Sequence, residues 1–173
     1  MKRAVFLDRD GTIIEDHAYN DRADAVVLLP GAGAALARLH AAGYQLVLVT
    51  NQSGIGRGYF GRDVVEAQHA RLAALLANAG VALAAVKYCP HTPADGCACR
   101  KPAPGMLLTA AADLGVDPAA SWMVGDKHSD VEAGRRAGCQ TVLIDPAPDT
   151  AADHTAPSLA AAADTILAHH EPT

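Results

Sequence analysis

The chain is poor in aromatic residues, 4% of 173, and it has no long basic run; its formal net charge is −5. Scarce rings and an acidic balance argue against a protein that stacks on or neutralises nucleic acid, or one that lies on an anionic membrane surface. Long apolar runs are missing as well. No stretch approaches the roughly 20 apolar residues needed to cross a bilayer. The first apolar run is short and stops at Asp8, so no N-terminal signal peptide is expected. The expectation is a soluble cytoplasmic protein with neither a membrane nor a nucleic-acid partner. No apolar helix face stands out as needing a second subunit, and a monomer is expected. Cysteine is sparse, yet three of the four lie within eleven residues, a clustering that suits a metal better than disulfides.

Half of the residues are hydrophobic, with alanine very frequent. The core is therefore expected from Val, Leu and close helix–sheet contacts through Ala. The length suits one domain, residues 1–173. Gly43, Gly80, Gly115 and Gly138 each separate a helix-like run from a short, nearly continuous apolar run. That repeated order predicts an α/β fold, a mainly parallel sheet with helices on its faces. Strands are predicted over Ala4–Leu7, Gln45–Val49, Ala82–Tyr88, Ser121–Val124 and Thr141–Ile144. Helices are predicted over Ala32–Ala42, Asp63–Asn78 and Pro104–Leu114, and from Ser129, capped by Glu132, to Gly138. Asp145–Pro157 reads as a loop, Ala163–Leu167 as a last edge strand, and His169–Thr173 as a frayed tail whose histidines are solvated.

The chain is organised around Ala4–Thr12, where an apolar strand stops at Asp8-Arg9-Asp10-Gly11-Thr12. Strand alternation points Asp8 and Asp10 to one side, and Mg²⁺ favours such oxygen clusters completed by a further acid and phosphate oxygens. Three more strand ends present polar groups: Thr50-Asn51, the segment after Tyr88, and Gly125-Asp126. In a parallel sheet these ends share one edge, where ligands bind. Asp126 is placed to complete a Mg²⁺ site with Asp8 and the Asp10 carbonyl. Asp130 reads equally as a second ligand and as a helix N-terminal charge. The loop Thr50–Gly58, rich in glycine, hydroxyls and amides, can face an anion. Lys101 beside a phosphate would neutralise charge in phosphoryl transfer. Arg57 and Lys127 near the strand ends suit a second phosphate.

Cys89, His91, Cys97 and Cys99 form the pattern C-x-H-x₅-C-x-C. Four soft or borderline ligands in one loop, residues 89–99, suit Zn²⁺ in a closed tetrahedral and therefore structural site. The loop runs directly into Arg100-Lys101, so a metal there would fix two cations that must meet a phosphate. Cys139 stands apart and reads as a small buried residue.

Asp8–Thr12 (DRDGT), Thr50–Ser53 (TNQS), Lys101 and Gly125–Asp130 (GDKHSD) together resemble the motif set of the haloacid dehalogenase (HAD) superfamily of phosphatases, from Val5 to Ile144. That resemblance implies a Rossmann-like, three-layer HAD-type sandwich with a minimal cap. It also implies a Mg²⁺-dependent reaction in which Asp8 is the nucleophile and Asp10 the general acid and base. Thr50 and Lys101 would hold the phosphoryl oxygens. Within the superfamily the chain is similar to the phosphatases of sugar bisphosphates. That similarity implies substrate contacts at Asp8–Asp10, at Asp16, His17, Ala18, Tyr19, Thr50, Asn51, Gln52, Ser53, Arg100 and Lys101, and a small phosphorylated sugar as the partner. Histidinol-phosphate phosphatases carry a similar zinc loop and supply the alternative substrate; a zinc-binding scaffold without catalysis is the alternative of another class.

Overall fold

A computed structural model describes residues 2–144 and 151–169. Six strands form one sheet: β1 (Ala4–Leu7), β2 (Gln45–Asn51), β3 (Ala85–Cys89), β4 (Trp122–Gly125), β5 (Gln140–Ile144) and β6 (His154–Ala156). Their spatial order is β3-β2-β1-β4-β5-β6, and every pairing between neighbours is parallel. From β1 the chain first builds outward through β2 and β3, then returns to the other side of β1 with β4. The boundary between β1 and β4 is thus the switch point of the sheet, where the connections on the two sides part and leave a crevice.

Among the described residues, five helices cover the sheet: α1 (Ala32–Ala41), α2 (Arg62–Ala77), α3 (Gly105–Leu114), α4 (His128–Ala137) and α5 (Leu159–Ala168). The central strands are apolar on both faces, as burial on both sides demands. Val5, Leu7, Leu46, Leu48 and Val124 pack with Leu36 and Leu39 of α1, Leu72 and Leu76 of α2, and Ile166 of α5. Their alternate neighbours Phe6, Val47, Val49 and Met123 pack with Met106, Leu107 and Ala110 of α3 and Ala133 of α4. This is the three-layer sandwich expected. Small residues set the helix–sheet distance: a Cβ added at Gly134 of α4 would fall 2.6 Å from the Met123 Cβ. At the carboxyl edge of the sheet, the described connecting segments carry short 3₁₀ turns, Ala23–Ala25 and Pro93–Asp95, and the isolated bridges Asp10–Ile14 and Ile14–Leu28, so the cap is minimal. No helix of the described residues is long and apolar enough to cross a membrane.

Three expectations are corrected at the C-terminal side. Ala163–Leu167 is not an edge strand but part of α5. Alanine favours helix over strand, Leu159, Ala162, Ala163 and Ile166 share one buried face, and the Ser158 hydroxyl caps the start by accepting from the Ala161 N–H at 3.2 Å. The edge strand is β6, three residues inside the stretch read as loop, too short to show an alternating pattern. The start of α4 is served not by Ser129 and Glu132 but by Asp130, whose Oδ2 accepts from the Lys127 N–H at 3.0 Å; Glu132 instead pairs with Arg136 at 2.7 Å. Of the expected loop, residues 145–150 lie outside the described residues, as do 170–173 of the expected tail. His169 is exposed, but its ring lies 4.8 Å from that of His154 and 5.8 Å from that of Trp122. The remaining boundaries agree to within three residues, and those of β1 coincide.

Candidate active site

Asp8 is the first residue beyond β1, and its N–H donates to the Val124 carbonyl at 3.0 Å. This bond ties the ends of β1 and β4 together at the switch point. The Asp8 side chain meets Lys101, which is delivered from the segment after β3. Lys101 is only 3% exposed. Its ammonium group lies 2.7 Å from Asp8 Oδ1, 2.6 Å from Asp130 Oδ1 and 2.8 Å from the Val49 carbonyl. Three donors meet three acceptors, so nothing on the ammonium is left unsatisfied. Burial opposes the charge on both partners, yet the pair outweighs it. Asp8 is held below the usual carboxylate range by Lys101, and Lys101 is held above the usual lysine range by Asp8 and Asp130.

Asn51 explains why Lys101 is so well placed. Its side-chain amide donates to the Lys101 carbonyl at 3.0 Å, and its oxygen accepts from the Lys101 N–H at 3.0 Å. One N–H and one oxygen lone pair of the amide thus bracket this backbone, and the side chain also lines the cleft. Thr50 is buried, and its hydroxyl oxygen accepts from Gln52 Nε2 at 2.9 Å, which leaves the O–H free to donate into the cleft.

Asp8, Asp126 and Asp130 can each bring one carboxylate oxygen within 4.8 Å of the others. Lys101 and the exposed Lys127 together do not balance three acids. Asp126 is accordingly pushed up to about 7, first by burial and then by the facing Asp8 charge. Asp130 is pushed up to about 6 by burial and by Asp8. Hard oxygen donors with uncompensated negative charge fit Mg²⁺. Gly11 belongs to this cradle: it has φ +81°, and a Cβ there would collide with the Asp126 carboxylate. Asp130 is already committed to Lys101 and to the cap of α4.

Pairing of β1 ends at Leu7, so the turn rather than the strand pleat aims Asp10. The N–H groups of Thr12 and Ile13 return to the Arg9 carbonyl, and the Asp10 side chain turns away from the acid cluster. Arg9 Nε and Nη2 donate to its two oxygens at 3.1 and 3.2 Å, and Gln52 Nε2 adds a third bond at 3.1 Å. Arg9, 3% exposed, falls within the implied substrate contacts Asp8–Asp10, but the sequence assigns it no role of its own. The signal available was an arginine between two acids at a strand end, which must be paired if the end is covered.

A cleft of about 570 Å³ opens over these groups, within the usual range for small-molecule sites. Asp8, Asp10, Asp16, Ala18, Tyr19, Thr50, Asn51, Gln52, Ser53, Arg100, Lys101 and Lys127 all line it, as do Asn20 and Phe60, which were not anticipated. His17 is exposed and faces Glu15 at 3.2 Å. Arg57 is exposed on the rim, 5.8 Å from the Tyr19 ring, with its Nε 3.5 Å from Ser53 Oγ. Lys127 lies 3.9 Å from Asp16.

Beside the cleft, Cys89, His91, Cys97 and Cys99 converge. Five of their mutual ligand-atom distances fall between 3.1 and 3.6 Å, and the thiols are free. Ligands at zinc-bond lengths would be about 3.5–3.8 Å apart at tetrahedral corners, so the cluster is a slightly contracted version of that shape. Burial and the neighbouring thiols push Cys89 up to about 12, which a bound cation would reverse. The loop grips the next residue twice: the Arg100 N–H donates to Cys97 Sγ at 3.4 Å, and Arg100 Nη1 to the His91 carbonyl at 3.2 Å.

An acid pair after the central strand, a buried lysine facing it and a third acid at the switch point define a HAD-type phosphatase site, and the HAD-hydrolase-like family model matches residues 98–169. Much closer matches cover most of the chain. The D-glycero-β-D-manno-heptose-1,7-bisphosphate 7-phosphatase of Pasteurella multocida is 49% identical over 151 residues, 83% of this chain and 82% of that protein. Its counterpart from Pseudomonas aeruginosa is 46% identical over 146 residues, with the same coverage. The crystal structure of D,D-heptose 1,7-bisphosphate phosphatase from B. bronchiseptica, complexed with magnesium and phosphate, superposes with a TM-score of 0.89 at 37% identity, covering 98% of this chain and 100% of that one. The chain belongs to the family of these heptose-bisphosphate phosphatases.

Proposed function

We propose that this chain is a Mg²⁺-dependent phosphatase that removes the 7-phosphate of D-glycero-D-manno-heptose 1,7-bisphosphate through a phosphorylated Asp8. The observation that carries the reading is Asp8 itself, buried, held ionised against Lys101, and open to the cleft. A carboxylate kept charged in a covered site is a competent nucleophile toward phosphorus. Asp8 Oδ attacks, the bond from phosphorus to the C7 oxygen breaks, and Asp10 gives that oxygen a proton. Asp10 then takes a proton from water as the water attacks the aspartyl phosphate. Inorganic phosphate leaves and Asp8 is restored. Thr50 O–H and Lys101 hold the phosphoryl oxygens as their charge redistributes. Asp8, Asp126 and the Asp10 backbone carbonyl would hold Mg²⁺, which supplies the positive charge that lets a carboxylate approach a phosphate dianion. Asp130 serves by orienting Lys101.

Arg100, Lys127 and Arg57 meet the second phosphate, while Asp16, Tyr19 and Ser53 border the sugar. Cys89, His91, Cys97 and Cys99 hold a structural Zn²⁺ that keeps Arg100 in place through the two bonds described. The relatives' names support the heptose bisphosphate over histidinol phosphate. The enzyme is read as a cytoplasmic monomer in the supply of nucleotide-activated heptose for lipopolysaccharide cores. ³¹P NMR of the reaction tests the regiochemistry: loss of the phosphomonoester signal at C7 with retention of the anomeric phosphate is expected, and loss of the anomeric signal first would refute it.

A further inference from the structure

Gln68 lies on α2, on the face formed by Val65, Leu72 and Leu76, and is 1% exposed. The spacing of three or four residues marks this as an apolar stripe, where an amide is tolerated only if its hydrogen bonds are made. Both ends are engaged. Oε1 accepts from Arg9 Nη1 at 2.9 Å, and Nε2 donates to the Asn20 carbonyl at 2.7 Å. The other donor of Arg9 Nη1 points to His69 Nε2 at 3.3 Å. Arginine only donates, so His69 accepts there and carries its proton on Nδ1. Burial and the Arg9 charge push His69 down to about 4, which keeps this nitrogen free to accept at neutral pH. Helix α2 thus fixes one edge of the guanidinium, and the opposite edge fixes Asp10. The same amide holds the rim loop that carries Tyr19.

We propose that Gln68 is a positioning residue for the phosphatase reaction, holding Arg9 so that Arg9 fixes the Asp10 carboxylate, and holding the rim loop at Asn20 with its other end. The inference rests on the role assigned to Asp10 above. It separates two effects. Loss of the Arg9 bond loosens the acid and base, and loss of the Asn20 bond loosens the rim.

Gln68→Met keeps the volume and removes both bonds; Gln68→Glu keeps the acceptor for Arg9 and puts an oxygen against the Asn20 carbonyl. With the sugar bisphosphate and Mg²⁺, kcat of Gln68→Met is expected to fall about 10–100-fold, the scale of a small misplacement of a reacting group. With an aryl phosphate, whose leaving group needs no proton, the first turnover should survive as a burst of phenol before the slow water step. Gln68→Glu should return kcat to within about fivefold of wild type while KM stays raised. Wild-type kcat in Gln68→Met, equal losses in burst and steady state, or a Glu variant no better than Met would each overturn the proposal. Should Gln68→Met fail to fold, the Glu variant decides alone: preserved kcat with raised KM supports the proposal, and lost kcat with unchanged KM overturns it. A wild-type protein inactive on both substrates would instead sink the phosphatase reading and this proposal together.

Discussion

Replacing Lys101 by methionine removes the one cation among the described residues that is ion-paired with both buried carboxylates, Asp8 and Asp130. Asp8 and Asp130 are 5% and 1% exposed, and each lies within 2.7 Å of the ammonium group. Breaking a buried pair by deleting one partner costs about 3–5 kcal/mol, because the remaining charge is stranded. For a chain of this size that is a fall in Tm of roughly 6–20 °C. The cost has a pH signature. In the wild type, Lys101 holds Asp8 below the usual range, so its stabilisation is fully present above the unfolded carboxylate value and is lost only as pH falls through the lower folded value. In the variant, burial is opposed only by the hydrogen bonds to Asp126 and the Arg9 backbone; as the largest influence on Asp8 it raises the group above its unfolded value, so the folded state binds the extra proton and stability drops as pH rises. The deficit should therefore be larger at about pH 8 than at about pH 5.5, and Mg²⁺ should recover part of it at the higher pH. Urea unfolding of both proteins at the two pH values, with and without Mg²⁺, measures this. A deficit below about 1 kcal/mol, or one independent of pH, would refute the reasoning.

Mg²⁺ affinity, measured calorimetrically, should weaken below neutrality, about tenfold per pH unit under pH 7, because Asp126 must lose a proton that it holds up to about 7. The metal-free protein should correspondingly lose stability as pH rises from the unfolded value of 3.8 toward that value, since the folded state is the one that keeps the Asp126 proton; equal affinity at pH 6 and pH 8 would contradict both. Cys97→Ala, which removes a proposed zinc ligand and the acceptor of the Arg100 N–H, should lower Tm and raise KM together; unchanged kinetics after complete zinc removal would show that the loop does not serve the cleft.

The site was legible where its residues are consecutive. Asp8 to Thr12, Thr50 to Ser53 and Gly125 to Asp130 each follow an apolar strand, and a parallel sheet brings such ends together whatever lies between them. The Cys/His cluster was legible for the same reason, being confined to one loop. What depends on distant partners was not. Asn51 carries the right atoms to touch a substrate, but only the folded chain reveals that its amide also brackets the Lys101 backbone. Asp130 had two equal readings until Lys101 was seen beside it. Gln68 left a trace, a polar residue in an apolar stripe, but its meaning lay in Arg9, 59 positions away. At the C-terminal side, β6 is too short to carry a period, and an alanine-rich run offers weak amphipathic contrast. There the cap at Ser158 was the informative residue.

Phosphate release from heptose 1,7-bisphosphate, run beside histidinol phosphate with Mg²⁺ for wild type and Asp8→Asn, tests the account most directly. It predicts fast release from the bisphosphate by the wild type, little from histidinol phosphate, and none above background from Asp8→Asn. Release by Asp8→Asn at the wild-type rate, or a clear preference for histidinol phosphate, would contradict it.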